Sequence, residues 1–472
     1  VSGLEHFVTG QILPALLAIE HELLLFAAFW FIVGAIDEAA IDVSYLWLRF
    51  TGRLREGRVA REGEAAALRG RAAVLVAAWQ EADVIGAMVA HTLKAWPQAG
   101  MRLYVGCYAN DPATLAAAMK GAAGDPRVRI IVNDRPGPTT KADCLNRLYA
   151  ALCRDEERTG HRYRSIVLHD AEDMVHPAAL SLIDRQLDEA GFVQLPVRPE
   201  PQAGSRWIAG HYGDEFAEAH AKSMVVRNAI GAAIPAAGVG CGFDRDLLAA
   251  LARQRSGTAS GAPFAAESLT EDYELGLLVS RSGARSRFLR VRDHLGELVA
   301  TRAYFPGKLE QAVRQKARWL HGIAFQSWDR LGWFGGPLDV WMALRDRRGP
   351  LTAMVLACAY LLVVIEGVLG LARFAGWQGK LEISPLLGAM LTISFVAFVW
   401  RALWRFGFTA SEYGLIEGAR AVLRIPVANV IAIMAGRRAL VAYARSLVGQ
   451  APGWDKTAHA HHPAEQPHEA RA

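Results

Sequence analysis

Three short stretches concentrate residues that could do chemistry. HDAEDMVHP (169–177) puts Asp170, Glu172 and Asp173 directly behind the apolar run of RSIVLHD (164–170). Three carboxylates this close repel one another unless a cation, or a metal–diphosphate pair, sits between them. Oxygen donors of this kind suit Mg²⁺ or Mn²⁺. A solvated acidic turn has the same composition, so both readings stay open. SLTEDYELG (268–276) sets Glu271 and Asp272 at the start of an amphipathic stretch. Thr-Glu-Asp is also an ordinary helix start, with a capping hydroxyl and acids at the positive end of the helix dipole. RQKARWLHG (314–322) places Gln315, Arg318 and Trp319 on roughly adjacent faces of a helix. An Arg can fork onto phosphate oxygens, and a Trp can offer its face to a sugar ring. The same stretch also reads as a basic amphipathic helix at a membrane surface.

The elements that would carry these residues follow from the surrounding pattern. Apolar runs at 71–79, 102–108, 128–133 and 164–170 alternate with helical spacing at 83–96, 111–123 and 141–155. The second helix opens with Asp-Pro, a start signal. Repeated strand–helix alternation predicts an α/β fold with a mostly parallel sheet. Ligands on such sheets bind at the carboxyl ends of the strands. Those ends carry Trp79-Gln80-Glu81, Asn110-Asp111, Pro136 to Lys141, and Asp170 to Asp173.

Composition adds a membrane. The 472 residues are 52% hydrophobic and only 21% charged, which excludes a disordered chain. The net charge of +5 is too mild to argue for nucleic acid, and suits an anionic membrane surface or a phosphorylated substrate. The five Cys, at 107, 144, 153, 241 and 358, form no CxxC pair and point to neither a disulfide framework nor a zinc site. Stretches at about 11–36, 351–376 and 383–400 have the length and apolarity of spans. Glu20, His21 and Glu22 leave the start of the first one open. A fourth stretch, 421–443, carries Arg424, Pro426, Arg437 and Arg438 and is expected to lie on the interface. Arg49, Arg53, Arg55, Arg58 and Arg61 follow the first span, Arg345, Arg347 and Arg348 precede the second, and Arg401 and Arg405 follow the third. By the positive-inside rule, residues 60–345 form a cytoplasmic domain between an N-terminal segment (1–50) and a membrane region (350–447). Residues 451–472, rich in Pro, Ala and His, are expected to be disordered.

The order of these pieces resembles the D, DxD, TED, QxxRW series of membrane-bound glycosyltransferases of family 2, the cellulose, chitin and hyaluronan synthase group. Within it the phage-adsorption protein B subgroup is the nearest likeness. NDPAT (110–114), GPTTKADCLN (137–146), HDAEDMVHP, YGDEFAEAHAKSMVVRN (212–228) and GVGCGFDRD (238–246) carry the match. The resemblance covers about residues 10–450. It implies a GT-A-type nucleotide-sugar domain inserted between transmembrane helices. It implies that Ala77, Trp79, Glu81 and Asp111 hold the nucleotide, with Lys141 beside the diphosphate. Asp170 and Glu172 take the DxD positions that meet diphosphate and metal. Asp272 takes the general-base position next to Glu271, and Gln315, Arg318 and Trp319 border acceptor and diphosphate. Glu172 departs from the Asp of many members, so Asp173 could share the metal.

These implications describe an inverting, metal-dependent glycosyltransferase of the bacterial inner membrane, its catalytic domain facing the cytoplasm. The expected donor is a nucleotide sugar, UDP-linked. The acceptor is a growing polysaccharide or a lipid-linked molecule. Membrane lipids and an outer-membrane export partner complete the expected partners. Two rivals stand beside it: an enzyme making a single transfer to a lipid acceptor, and a non-catalytic membrane receptor or scaffold.

Overall fold

The computed structural model describes residues 7–54, 56–258, 261–449 and 461–465. A long helix α1 (Leu13–Phe50) leads into the globular domain. There, β1 (Ala72–Ala77), α2 (Ile85–Ala95), β2 (Met101–Tyr108), α3 (Pro112–Ala122), β3 (Val128–Asn133), α4 (Lys141–Thr159) and β4 (Ser165–Asp170) alternate as the sequence pattern predicts. Shorter strands β5 (Phe192–Gln194), β6 (Cys241–Asp244) and β7 (Ser286–Phe288) extend the sheet, with helix α5 (Glu271–Arg281) between the last two. The sheet order is β3-β2-β1-β4-β6-β5-β7. All neighbours are parallel except those of β6, which runs antiparallel to β4 and β5.

The central strands are continuous apolar runs because helices cover both faces. Val74, Val76, Leu103 and Val105 face one core, packed on Ile85 and Met88 of α2. Ala73, Leu75, Ile166 and Leu168 face the other, packed on Leu145, Leu148 and Leu152 of α4. Register sets the ligand end: Ala77, the last residue of β1, pairs with Asp170, the last of β4. The chain then runs through α6 (Leu309–His321), α7 (Gly349–Phe374), α8 (Pro385–Tyr413) and α9 (Ile425–Leu447).

Four helical segments, Val8–Phe50, α7, α8 and α9, are long and apolar enough to cross a membrane. The first continues unbroken through Glu20, His21 and Glu22. Its α-helical part, the 38 residues of α1, spans about 57 Å at 1.5 Å per residue, well beyond a hydrocarbon core of about 30 Å. Its domain-side end uses that excess length. Glu38 meets Arg345 at 3.0 Å and Arg401 at 2.9 Å, and Asp42 meets Lys222 at 2.6 Å. The third span is longer than 383–400, and its last turn docks on the domain through Glu412 and Arg292, 2.7 Å apart.

α9 differs from the other three. Arg424, at its N-cap, is fully buried and forks onto Asp214 at 2.6 and 2.8 Å. Tyr443, near its other end, stacks on Phe325 with ring centroids 4.4 Å apart and reaches Asp329. Between them Ile431 packs on Tyr212, Ala312 and Val313 of the domain. A helix fastened to the globular domain at both ends lies along that domain, however apolar its sequence.

The expectation of an unstructured tail is corrected in part. Pro463–Glu465 form a single helical turn, and His462 before it is fully buried against the domain. Arg55, His459, His468 and the rest of the tail lie outside the described residues.

Candidate active site

The carboxyl ends of β1 and β4, the start of α4, the start of α5 and one face of α6 enclose a cavity of about 450 Å³. Ala77, Trp79 and Glu81 border it on one side, and Lys141, Asp170, Glu172 and Asp173 line its centre. Glu271, Asp272, Gln315, Arg318 and Trp319 border it on the other. Asp111 is the one predicted site residue that does not line it.

Each wall has a local cause. Trp79 stands on the loop after β1, edge-on to Tyr108 at the end of β2 with centroids 5.0 Å apart. Asn110 fixes the opposite loop by donating to the Gly137 carbonyl and accepting from its N–H, both at 2.8 Å. A side chain at Gly137 would overlap the Trp79 ring. Asp111 works behind this wall. Its Oδ1 accepts from Thr114 N at 3.3 Å, capping α3, and its Oδ2 accepts from Gln80 N at 2.6 Å. Both oxygens thus serve the backbone, and Asp111 shapes the wall that carries Trp79 instead of facing into the cavity.

Asp173 is tied to its own strand end. Its Oδ2 accepts from His169 Nδ1 at 2.8 Å and from Asp170 N at 2.9 Å, and only 2% of the residue is exposed. Burial raises its carboxyl above the ordinary carboxylate range, against the pull of His169. Asp173 closes the turn that presents Asp170 and Glu172. Only Oδ2 is engaged in this way, and Asp173 lines the cavity with Asp170 and Glu172.

The centre of the cavity is a charge cluster. Lys141, the first residue of α4, forms an ion pair with Asp170. Burial would lower its ammonium, but Asp170, Glu271 and Asp272 outweigh that and raise it. Gly238, at φ +73°, lies beneath: a Cβ there would collide with Asp272 Oδ2 and crowd Lys141 Nζ. Burial, then the adjacent Asp272, pushes the Glu271 carboxyl up to about 7, with Lys141 opposing. Burial also raises Asp272, again against Lys141. Both carboxyls ionise less readily than usual beside a lasting cation, and Glu271, at about 7, can take up a proton near neutrality.

Thr270 does not cap α5: its side chain makes no cap hydrogen bond, and its buried Oγ1 has no partner among the described residues. The plain helix-start reading of Thr-Glu-Asp therefore fails at its Thr. Gln315 Oε1 and Arg318 Nε are likewise buried without a hydrogen-bond partner among the described residues. Such atoms cost roughly 1–3 kcal/mol each when left unmet, so a polar ligand in this cavity would relieve them. Trp319 joins Phe216 and Phe305 in an aromatic wall, its ring centroid 6.5 Å from each of theirs and theirs 5.2 Å apart. Phe216 and Phe305 were not foreseen. Phe216 closes YGDEF, a stretch whose match carried no assigned role. In the structure Asp214 of that stretch holds Arg424, and Glu215 holds Lys316 of α6 at 2.5 Å. Burial would raise Glu215, but Lys316 brings it down to about 2.

A mostly parallel sheet with acids at the carboxyl ends of its strands, a single lysine set among them and an aromatic far wall make up a glycosyltransferase domain of the GT-A type. The profile of glycosyltransferase like family 2 matches residues 70–322, and the chain belongs to that family. It is 34% identical over 409 residues to bacteriophage adsorption protein B of Escherichia coli K12, and equally to bacteriophage N4 adsorption protein B of E. coli O157:H7. Those matches cover 82% of this chain and 54% of each relative, so the chain spans about half their length. Among solved structures, a mannosyltransferase from Pyrobaculum calidifontis in complex with GDP-Man and Mn²⁺ is 16% identical. It aligns over 86% of this chain and 99% of its own, with a TM-score of 0.49.

Proposed function

We propose that this membrane glycosyltransferase moves a sugar, with inversion, from a UDP-linked donor to a growing polysaccharide or lipid-linked acceptor. The work is done at the cytoplasmic face of a bacterial inner membrane. One observation carries the proposal. Lys141 with Asp170 and Glu172, the pair Glu271–Asp272, and the trio Gln315, Arg318 and Trp319 converge on one cavity from distant parts of the chain.

The donor set fits a divalent cation. Asp170 and Glu172 offer hard oxygens at a strand end, and the ion pair of Lys141 with Asp170 shows that positive charge is already stabilised there. Mg²⁺ or Mn²⁺ held by Asp170 and Glu172 would supply charge neutralisation for the diphosphate. Trp79 and the loop tied down by Asp111 bound the nucleotide. Lys141 and Arg318 set positive charge where the leaving diphosphate gains its own. Asp272 accepts the acceptor hydroxyl's proton as that oxygen bonds to the anomeric carbon and the bond from that carbon to diphosphate breaks. Trp319, Phe305 and Phe216 offer flat faces to the acceptor.

The test is to incubate membranes containing the protein with a panel of UDP-sugars and to measure released UDP. Release with one donor, dependent on Mn²⁺ or Mg²⁺ and lost in Asp170→Asn, is the expected result. Silence across UDP- and GDP-sugars alike, from a protein that still binds no nucleotide, would remove the proposal.

A further inference from the structure

The turn that presents Asp170 and Glu172 is held by its backbone carbonyls. Four consecutive ones, at residues 173 to 176, each meet a donor from another segment. The Met174 carbonyl accepts from Arg302 N at 3.0 Å, and Met174 N donates back to Arg302 O at 2.7 Å. The Val175 carbonyl meets His91 Nε2 at 2.9 Å, and the His176 carbonyl accepts from Trp96 Nε1 at 3.0 Å. The Asp173 carbonyl, nearest the metal-site carboxylates, meets His462 Nε2 at 3.1 Å. Three of these partners belong to the domain itself. The fourth comes from beyond α9, 289 residues away in sequence.

His462 is built for this contact. Its ring is fully buried and lies 6.3 Å from that of His91. Its Nδ1 accepts from Ala464 N at 3.1 Å, which places the ring proton on Nε2, facing the Asp173 carbonyl. Pro463, also buried, starts the short turn that aims the ring. Asp173 is reached on both sides: its carboxylate ties to His169 and Asp170 N, its carbonyl to His462.

We infer that His461–Glu465 is a clamp on the metal-binding turn, with His462 a positioning residue that fixes Asp170 and Glu172 through the Asp173 carbonyl. The inference rests on the proposed metal role of that turn. It makes the strength of donor–metal binding depend on a segment that follows the membrane helices. Undocking that segment would loosen the turn without touching any group that meets substrate.

The test uses the full chain with His462→Ala and His462→Gln. Hydrogen–deuterium exchange of the 170–176 turn and of Arg302 N–H reads the clamp directly, and exchange across β1 to β4 serves as the folding control. In His462→Ala the turn should exchange faster while the central strands stay protected. The Mn²⁺ concentration for half-maximal UDP release should rise about three- to tenfold, the scale of one lost hydrogen bond, with the acceptor KM unchanged. His462→Gln, which keeps a donor, should recover most of the shift. Unchanged exchange in the turn, or an unchanged metal requirement in a variant whose turn does loosen, overturns the inference. If the wild type needed no metal, the metal assignment would fall instead. The exchange comparison would then decide the clamp alone.

Discussion

Asp272 is where the catalytic proposal is most exposed to test. Asp272→Asn keeps size and can still accept from Tyr273 N, as Asp272 Oδ1 does at 2.8 Å, but it cannot take a proton. Turnover should fall on the order of 10²–10⁴-fold while UDP-sugar binding holds. Retained turnover would move the base to Glu271. The raised carboxyls give this a pH signature. A base that must be ionised, in a pair where Glu271 stands at about 7, makes turnover climb as pH rises from about 5.5 to 8. Asp272→Asn should flatten that limb. Stability moves the other way. Glu271 binds its proton more tightly folded than unfolded, so the stability it contributes is present below about 4.5 and is lost as pH rises through about 7. Glu271→Gln carries no such loss, so its Tm relative to wild type should increase between pH 5 and 8. The two acids of the turn should also separate. Asp170→Asn removes a carboxylate oxygen that pairs with Lys141 and that the proposed metal would need, and should abolish turnover. Asp173→Asn keeps an acceptor for His169 and should cost far less. At this scale the sequence showed which residues gather but not which way they face. Acids behind an apolar run mark a strand end. That Asp173 would turn to His169, one residue inside the strand, and Asp111 to Gln80 N depends on turn geometry that spacing does not encode.

Elements were more legible than side-chain roles, because 2- and 3.6-residue periodicities extend over many residues and survive local exceptions. The four long strands and the helices between them fall within a few residues of their expected bounds. β5, β6 and β7 were missed: at three or four residues each they are too short to carry a period. α9 shows the reverse case. Its composition admits a span, while its basic residues argued for a helix lying flat, and the deciding fact is tertiary. Arg424 reaches Asp214, which sits in YGDEF far away in sequence. Both partners are buried, so Asp214→Ala would leave the Arg424 guanidinium with Glu417, at 2.7 Å, as its one remaining carboxylate among the described residues, a loss below the roughly 3–5 kcal/mol of a fully unpaired buried charge. The same change should release the start of α9 from the domain. Faster proteolysis near Arg424, together with a lowered Tm in detergent, is the expected outcome. A variant as stable and as protected as wild type would mean that α9 is held by apolar packing alone.

At the scale of the whole molecule, the catalytic domain is bolted to its membrane helices by charge. Glu38 and Asp42 of α1 meet Arg345, Arg401 and Lys222, drawn from the domain, its exit toward α7, and α8. Glu412 at the end of α8 meets Arg292. All of these contacts lie at one end of the helices, so the domain docks on a single side of the bundle. The described arginines that follow the first span and precede the second sit on that same side, which the proposed orientation, following the positive-inside rule, puts in the cytoplasm. The proposed nucleotide-sugar donor would be met only there, since nucleotide sugars are cytoplasmic substrates. Orientation and chemistry therefore stand or fall together. A reporter active only in the periplasm should be active when inserted in the 376–382 connection between α7 and α8. The same reporter should be silent at Gly257, in the loop after the Arg245–Ser256 helix. The opposite pattern would place the cavity outside, away from any UDP-sugar. The family assignment would survive that result, because it rests on residues 70–322, but the donor and the direction of transfer would both have to be abandoned.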